Sequence, residues 1–230
     1  LRLLARVCFP GLSSLVAELA SAAALIVFNL LLMGLEGSTG VAAYGVVANL
    51  ALVAAALFTG VAQGIQPLAS RCHGHGDRAG ERRVLRASLL LALGLAVLLC
   101  VGTAALAAPL TAAFNSAGDL HLAALAERGL RIYFLGFLFA GPNIVAAAFF
   151  SALERAGSGF AVSLVRGFAA LIPLALLLAR LLGTDGVWLS YPAAEACAGF
   201  LAAVLLLRWG RGEGRKNEPG AACEKGVVSK

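Results

Sequence analysis

VAAYGVVANLALVAAALFTGVAQGIQPLAS, residues 41 to 70, runs for thirty positions without one Asp, Glu, Lys or Arg. About 20 apolar residues suffice to cross the hydrocarbon core of a bilayer as a helix, so this stretch predicts a membrane span. A helix that only anchored could be Leu and Val throughout. This one carries Asn49, Thr59, Gln63 and Gln66, with Gly60, Gly64 and Pro67, in a medium where unsatisfied polar groups are costly. Either neighbouring helices satisfy its amides or they line a wet cavity.

Composition extends the reading to the whole chain. Hydrophobic residues are 60% and charged residues 13% of 230, and the mean hydropathy is +0.90. Soluble domains carry roughly 25% charged residues and could not cover so much apolar surface. Five further apolar segments are long enough to span, at about 9–33, 87–114, 131–153, 160–182 and 187–208. With 41–69 they predict an all-α membrane protein, one bundle of six transmembrane helices in residues 1–208. The connections are short, apart from 115–128 and a charged loop at 71–86. Two turns share the pattern Gly-[Ser/Thr]-x-Gly-Val, at Gly37 and Gly183; they are read as an internal repeat or as the local chemistry of tight turns.

With the N-terminus cytoplasmic, fourteen of the eighteen Lys and Arg residues fall on one side, three on the other, and only Arg166 inside a span. That bias places both termini inside, with the net charge of +6 serving topology and contact with anionic lipid; nucleic acid is not required as a partner. The five cysteines form no CxxC pair and suggest no disulfide framework. Cys72-His73-Gly-His75-Gly-Asp77 gathers potential metal ligands, but without regular four-ligand spacing it reads as a solvated turn. Residue 1 is Leu, so the chain looks like the later part of something longer. Residues 209–230 are polar and Gly-rich, a cytoplasmic tail expected to be disordered.

Four segments carry a resemblance: FPGLSSLVAELASAAALIVFN, VAAYGVVANLALVAAALFTGVAQGIQP, RIYFLGFLFAGPNIVAAAFFSALERAGSGFAVSLVRG and GVWLSYPAAEA. In this order they resemble the C-terminal six-helix lobe of the multidrug and toxic compound extrusion (MATE) family, over about residues 7–208. The resemblance implies half of a twelve-helix antiporter that exports amphipathic or cationic organic compounds by alternating access. H⁺ or Na⁺ would be the coupling ion, with no other cofactor and no catalysis. The N-terminal lobe would be the partner and a cell membrane, bacterial and inner, the location. Pro10 and Glu18 reproduce the family's spacing in helix seven. The Asp that sodium-coupled relatives carry in helix ten has no counterpart, since 131–153 contains no carboxylate.

Single residues are weighed beside this. Glu18 lies about 13 Å into the first span at 1.5 Å per residue, near the midplane, where an ionisable group is by default a functional hypothesis. Ser14, Glu18, Ser21 and Asn29 fall near one helical stripe. Asn49 and Gln63 share a face of the second span, as interhelical packing or cavity lining, while Gly60 and Gly64 suit close helix approach. Glu195 is the second intramembrane carboxylate. Arg166 is expected to snorkel to the cytoplasmic surface, a pairing with an acid being the alternative. Pro142 and Pro173, with Gly136 and Gly141, predict bent helices.

Two other transport-related readings compete: a flippase for a lipid-linked saccharide, which needs several cationic side chains for phosphate, and a non-transporting assembly subunit. A membrane-embedded enzyme is disfavoured, because no HExxH pair or paired intramembrane aspartates occur.

Overall fold

A computed structural model of the protein describes the backbone of residues 2–116, 118–154 and 156–214, and the side chains of residue 19 and residues 22–116, 118–154 and 157–211. Among them there is no strand. The helices are α1 (Arg2–Gly74), α2 (Arg78–Ala105), α3 (Ala107–Phe114), α4 (Leu120–Tyr133), α5 (Phe137–Ala152), α6 (Ala156–Leu164), α7 (Leu171–Leu182) and α8 (Thr184–Gly214).

Six antiparallel rods result. Hydrogen bonding runs through α1, yet Gly37 sits at φ 66°, ψ −150° and breaks it into two arms. Gly183, between α7 and α8, has nearly the same backbone at φ 61°, ψ −135°. This corner of conformational space is open essentially only to Gly, so the repeated turn pattern is explained by local chemistry. α2 and α3 form one rod interrupted at Leu106. α4 and α5 are joined by a 3-10 turn, Phe134–Gly136, and α6 and α7 by a π turn, Val165–Ala169. Five stretches of the described residues are long and apolar enough to span a membrane, the first, Ala22–Gly74, holding the Gly37 break. The chain is an all-α, multi-pass membrane protein.

The rod of α4 and α5 runs through the middle, and α5 is buried almost all round, by Phe137, Ala140, Asn143, Val145, Phe149 and Phe150 among others. Phe58 of α1 stacks on Phe137 with ring centroids 5.8 Å apart. At the Gly37 end, Glu36 accepts a hydrogen bond from the Thr184 hydroxyl at 2.6 Å and lies 3.2 Å from His121 Nε2, while Arg128 pairs with Asp185. These contacts fasten the α1 break, the start of α4 and the α7–α8 turn together.

At the opposite end the expected charged loop is much shorter. α1 continues to Gly74 and α2 starts at Arg78, with Asp77 capping it by accepting from the Gly80 N–H at 2.8 Å. Glu81, fully buried, is held by His73 at 2.9 Å and by Arg78 at 3.0 Å. The tail boundary also shifts. α8 runs to Gly214, and Trp209 is 4% exposed, edge-on to Phe149 at 5.2 Å. An aromatic of that size has enough apolar area to dock where the residues around it could not.

Candidate functional site

A cavity of about 230 Å³ opens within the bundle between the two arms of α1, the α4–α5 rod, the π turn and α8. Its walls follow from residue size. Ala48, Ala51 and Ala55 face it from α1 and leave space where Leu or Phe would fill it. Aromatic rings complete the lining, Phe28 and Tyr44 from α1 itself, Tyr133 and Phe137 from the α4–α5 rod and Tyr191 from α8. Tyr133 and Tyr191 stack in parallel, centroids 4.1 Å apart and planes 3° from parallel. Gly136 permits this: a Cβ there would come within 2.5 Å of the Tyr191 ring.

One ion pair lies at the edge of this aromatic wall. Arg166, inside the π turn, donates from Nε at 3.0 Å to Oε1 of Glu195 on α8, and its Nη2 pairs with the same oxygen at 2.9 Å. The other oxygen, Oε2, accepts from Asn143 Nδ2 at 2.9 Å, and Asn143 also donates to the Glu195 backbone carbonyl. Tyr191 lines the cavity with the pair. Glu195 is twelve residues beyond Gly183, about 18 Å along α8, which is past the middle of a ~30 Å hydrocarbon core.

Arg166 therefore does not snorkel. Its side chain turns inward, because a carboxylate 2% exposed at that depth is tolerable only if paired and hydrogen-bonded. The π turn places it there. The Ala170 N–H bonds to the Val165 carbonyl, five residues back, and a π turn shifts the helical phase of everything before it. Ala169, whose carbonyl would bond to residue 173 in a regular helix, faces the missing N–H of Pro173.

Of the candidate site residues Asn29, Asn49, Gln63 and Glu195, whose side chains are described, Glu195 alone lines the cavity, and Arg166, expected to snorkel, lines it too. Glu18 lies outside the residues whose side chains are described. Asn29 donates to the Leu25 carbonyl of its own helix at 2.9 Å, and Asn49 to the Gly45 carbonyl at 2.8 Å. Asn49 and Gln63 are both exposed on the outer face of the second arm of α1, with Gly60 and Gly64 beside them. Nothing comes within 4 Å of where a Cβ on either glycine would sit, so close packing within this bundle does not account for them. Arg166, Asn143, Tyr133 and Tyr191 were not singled out as site residues; the one available signal was Arg166 as the sole cation within a span.

The MatE family model matches residues 14–187. Several solved structures share the fold, three of them as follows. An outward-facing and an inward-facing conformation of a multidrug resistance MATE family transporter of the MOP superfamily each have a TM-score of 0.80, at 15% and 16% identity. Each is matched over 88% of this chain and over 45% and 46% of its own length. The MATE transporter VcmN of Vibrio cholerae, in a point-mutant form, has a TM-score of 0.78 at 21% identity, with 87% of this chain and 44% of its own covered. This chain thus spans less than half the length of the structures it matches. No curated protein matches it by sequence.

Proposed function

The chain belongs to the MatE family, and from this we propose that it is one six-helix lobe of a transporter exporting amphipathic or cationic organic compounds by alternating access, with H⁺ or Na⁺ as the coupling ion. The observation that carries this reading is the outer face of α1. Asn49, Gly60, Gln63 and Pro67 project from one side of the second arm, opposite the buried stripe of Tyr44, Val47, Ala51, Phe58, Ala62 and Ile65. Against lipid, Gln63, without a hydrogen-bond partner among the described residues, would leave an amide unsatisfied at a cost of several kcal/mol. Against a second lobe across a wet cleft, the same residues are solvated and available to a passing solute. The equal likeness of the bundle to outward- and inward-facing relatives supports a lobe that moves as one body while the cleft changes sides.

Glu18 is proposed as the coupling residue of that cleft. A carboxyl that binds a proton or Na⁺ in one state and yields it when a cationic solute arrives links the two fluxes without a chemical step. Both ends of the chain are proposed to be cytoplasmic, in a bacterial inner membrane. Arg166, neutralised by Glu195, removes the support that a phosphate-binding flippase would have drawn from it. Efflux is to be measured from proteoliposomes against an imposed ion gradient, with this chain alone, joined to a second six-helix lobe, and joined with Glu18→Gln. Transport only by the joined protein, with weakened rate and altered ion dependence in Glu18→Gln, is expected. Efflux by the chain shown to be a monomer overturns the lobe reading, and unchanged ion dependence in Glu18→Gln overturns the role of that residue.

A further inference from the structure

The cavity inside the bundle differs in character from the polar face of α1, and its polarity is set by which member of the ion pair it exposes. Glu195 is 2% exposed and Arg166 27%. Both carboxylate oxygens are occupied, Oε1 by two Arg166 donors and Oε2 by Asn143. Arginine has five N–H donors. Those on Nε and Nη2 face Glu195 Oε1, and the others remain for anything that enters. An entering molecule thus meets hydrogen-bond donors and positive charge, with the acid turned away behind them. A cation would meet the guanidinium before it met the carboxylate.

Size and walls narrow the ligand further. About 230 Å³ is below the ~300–1,000 Å³ of pockets for drug-sized compounds and suits one ring with a small head group. The stacked Tyr133 and Tyr191, facing the alanines of α1, form a slot for a flat apolar body.

We propose that this cavity binds a small aromatic carboxylic acid, with its carboxylate on Arg166 and its proton on Glu195. Charge balance requires both halves of that statement. A carboxylate added to the intact pair would leave a net negative charge in a largely desolvated site, which is costly. The balanced event is an exchange of partners: the neutral acid enters, its O–H bond breaks, and the proton moves to Glu195 Oε1 as Arg166 leaves that oxygen. The guanidinium then takes the ligand carboxylate in the bidentate geometry it prefers, while Asn143 keeps Oε2. One guanidinium positive and one carboxylate negative charge are present before and after. Among the described residues, the other ionisable groups lining the cavity with the pair are the phenols of Tyr44, Tyr133 and Tyr191.

Titration calorimetry of the purified full chain in detergent, with benzoate as the probe at pH 7 and in two buffers of different ionisation enthalpy, tests this whether or not the chain transports anything. Saturable binding with uptake of about one proton per benzoate is expected, so affinity falls about tenfold for each pH unit above neutrality. Benzyltrimethylammonium should bind at least about tenfold more weakly than benzoate. Glu195→Gln removes the competing carboxylate, so benzoate should bind about tenfold more tightly and with no proton uptake. The double variant Arg166→Gln, Glu195→Gln, in which no charge is left unpaired, should lose that gain and bind benzyl alcohol as the wild type does. Absence of benzoate binding, tighter binding of the ammonium probe, or wild-type binding without proton uptake overturns the proposal. Should either variant fail to fold, the wild-type proton count and the comparison of the two probes decide it.

Discussion

Replacing Arg166 by Met tests whether the ion pair is as dry as its geometry implies. Met keeps much of the length and apolar body of the side chain and deletes the charge with both contacts to Glu195 Oε1, the hydrogen bond at 3.0 Å and the ion pair at 2.9 Å. Glu195, 2% exposed, would retain only Asn143, and stranding a buried charge in this way costs about 3–5 kcal/mol. Glu195→Gln strands the guanidinium instead. That side chain is 27% exposed and can still be partly hydrated, so the cost is about 1–3 kcal/mol. Replacing both leaves a neutral Gln that can still accept from Asn143, and buried pairs replaced by neutral side chains of similar volume are often close to neutral. The coupling between the two positions should then reach about 3 kcal/mol, the top of the range for residues in contact. Reversible unfolding in mixed micelles, with the denaturing detergent titrated and helicity followed, gives the three differences. A cost below about 1 kcal/mol for Arg166→Met, the value of a solvated pair, would refute the burial argument.

The turn geometry predicts that Gly37→Ala and Gly183→Ala each lose about 1–3 kcal/mol in the same titration, since both glycines hold backbone angles that Ala resists; two neutral substitutions would remove the explanation given for the repeated pattern. Phe58→Ala deletes a ring that is 0% exposed and stacked on Phe137, at an expected cost of about 3–5 kcal/mol; a loss under about 1 kcal/mol would mean that the α1–α5 interface repacks. For orientation, single cysteines at Ser38 and Arg78 in a cysteine-free background should react differently with an impermeant maleimide added outside cells. Residue 38 should label at once and residue 78 only after permeabilisation, and the reverse pattern overturns the cytoplasmic placement of the chain ends.

Six rods were legible from hydropathy because a bilayer imposes one length and one solvent on every span. Where those rods end was less legible. Hydropathy registers the edge of the hydrocarbon, whereas a helix continues into water until a break residue stops it, as α1 does through Arg71 to Gly74 and α8 does past Arg208. The phase of a regular helix was legible too, since Asn49 and Gln63 share a face as their spacing requires. Which face looks outward was not, because lipid and protein interior are equally apolar and the inward stripe of Ala and Val differs little from the outward one of Leu and Val. The Arg166–Glu195 pair was beyond the sequence for a sharper reason. It depends on the relative rotation of two rods, and one of them contains a π turn that displaces Arg166 from the direction a 3.6-residue period assigns it.

The backbone irregularities concentrate around that pair. The 3-10 turn at Phe134–Gly136 lies between Tyr133 and Phe137, the π turn holds Arg166, and Pro192 separates Tyr191 from Glu195. Each break frees carbonyls that must find donors in an apolar medium, and the Cys100 thiol supplies one to the Phe134 carbonyl at 2.9 Å. The two turns and Pro192 border one cavity that α1 lines with alanines, so irregular backbone and removed side-chain volume occur together. Either could be closed by larger residues and regular helices, with a gain in packing. A void kept open by both, next to a buried charge pair that apolar side chains could replace at little cost, is what a binding site requires and a structural core does not.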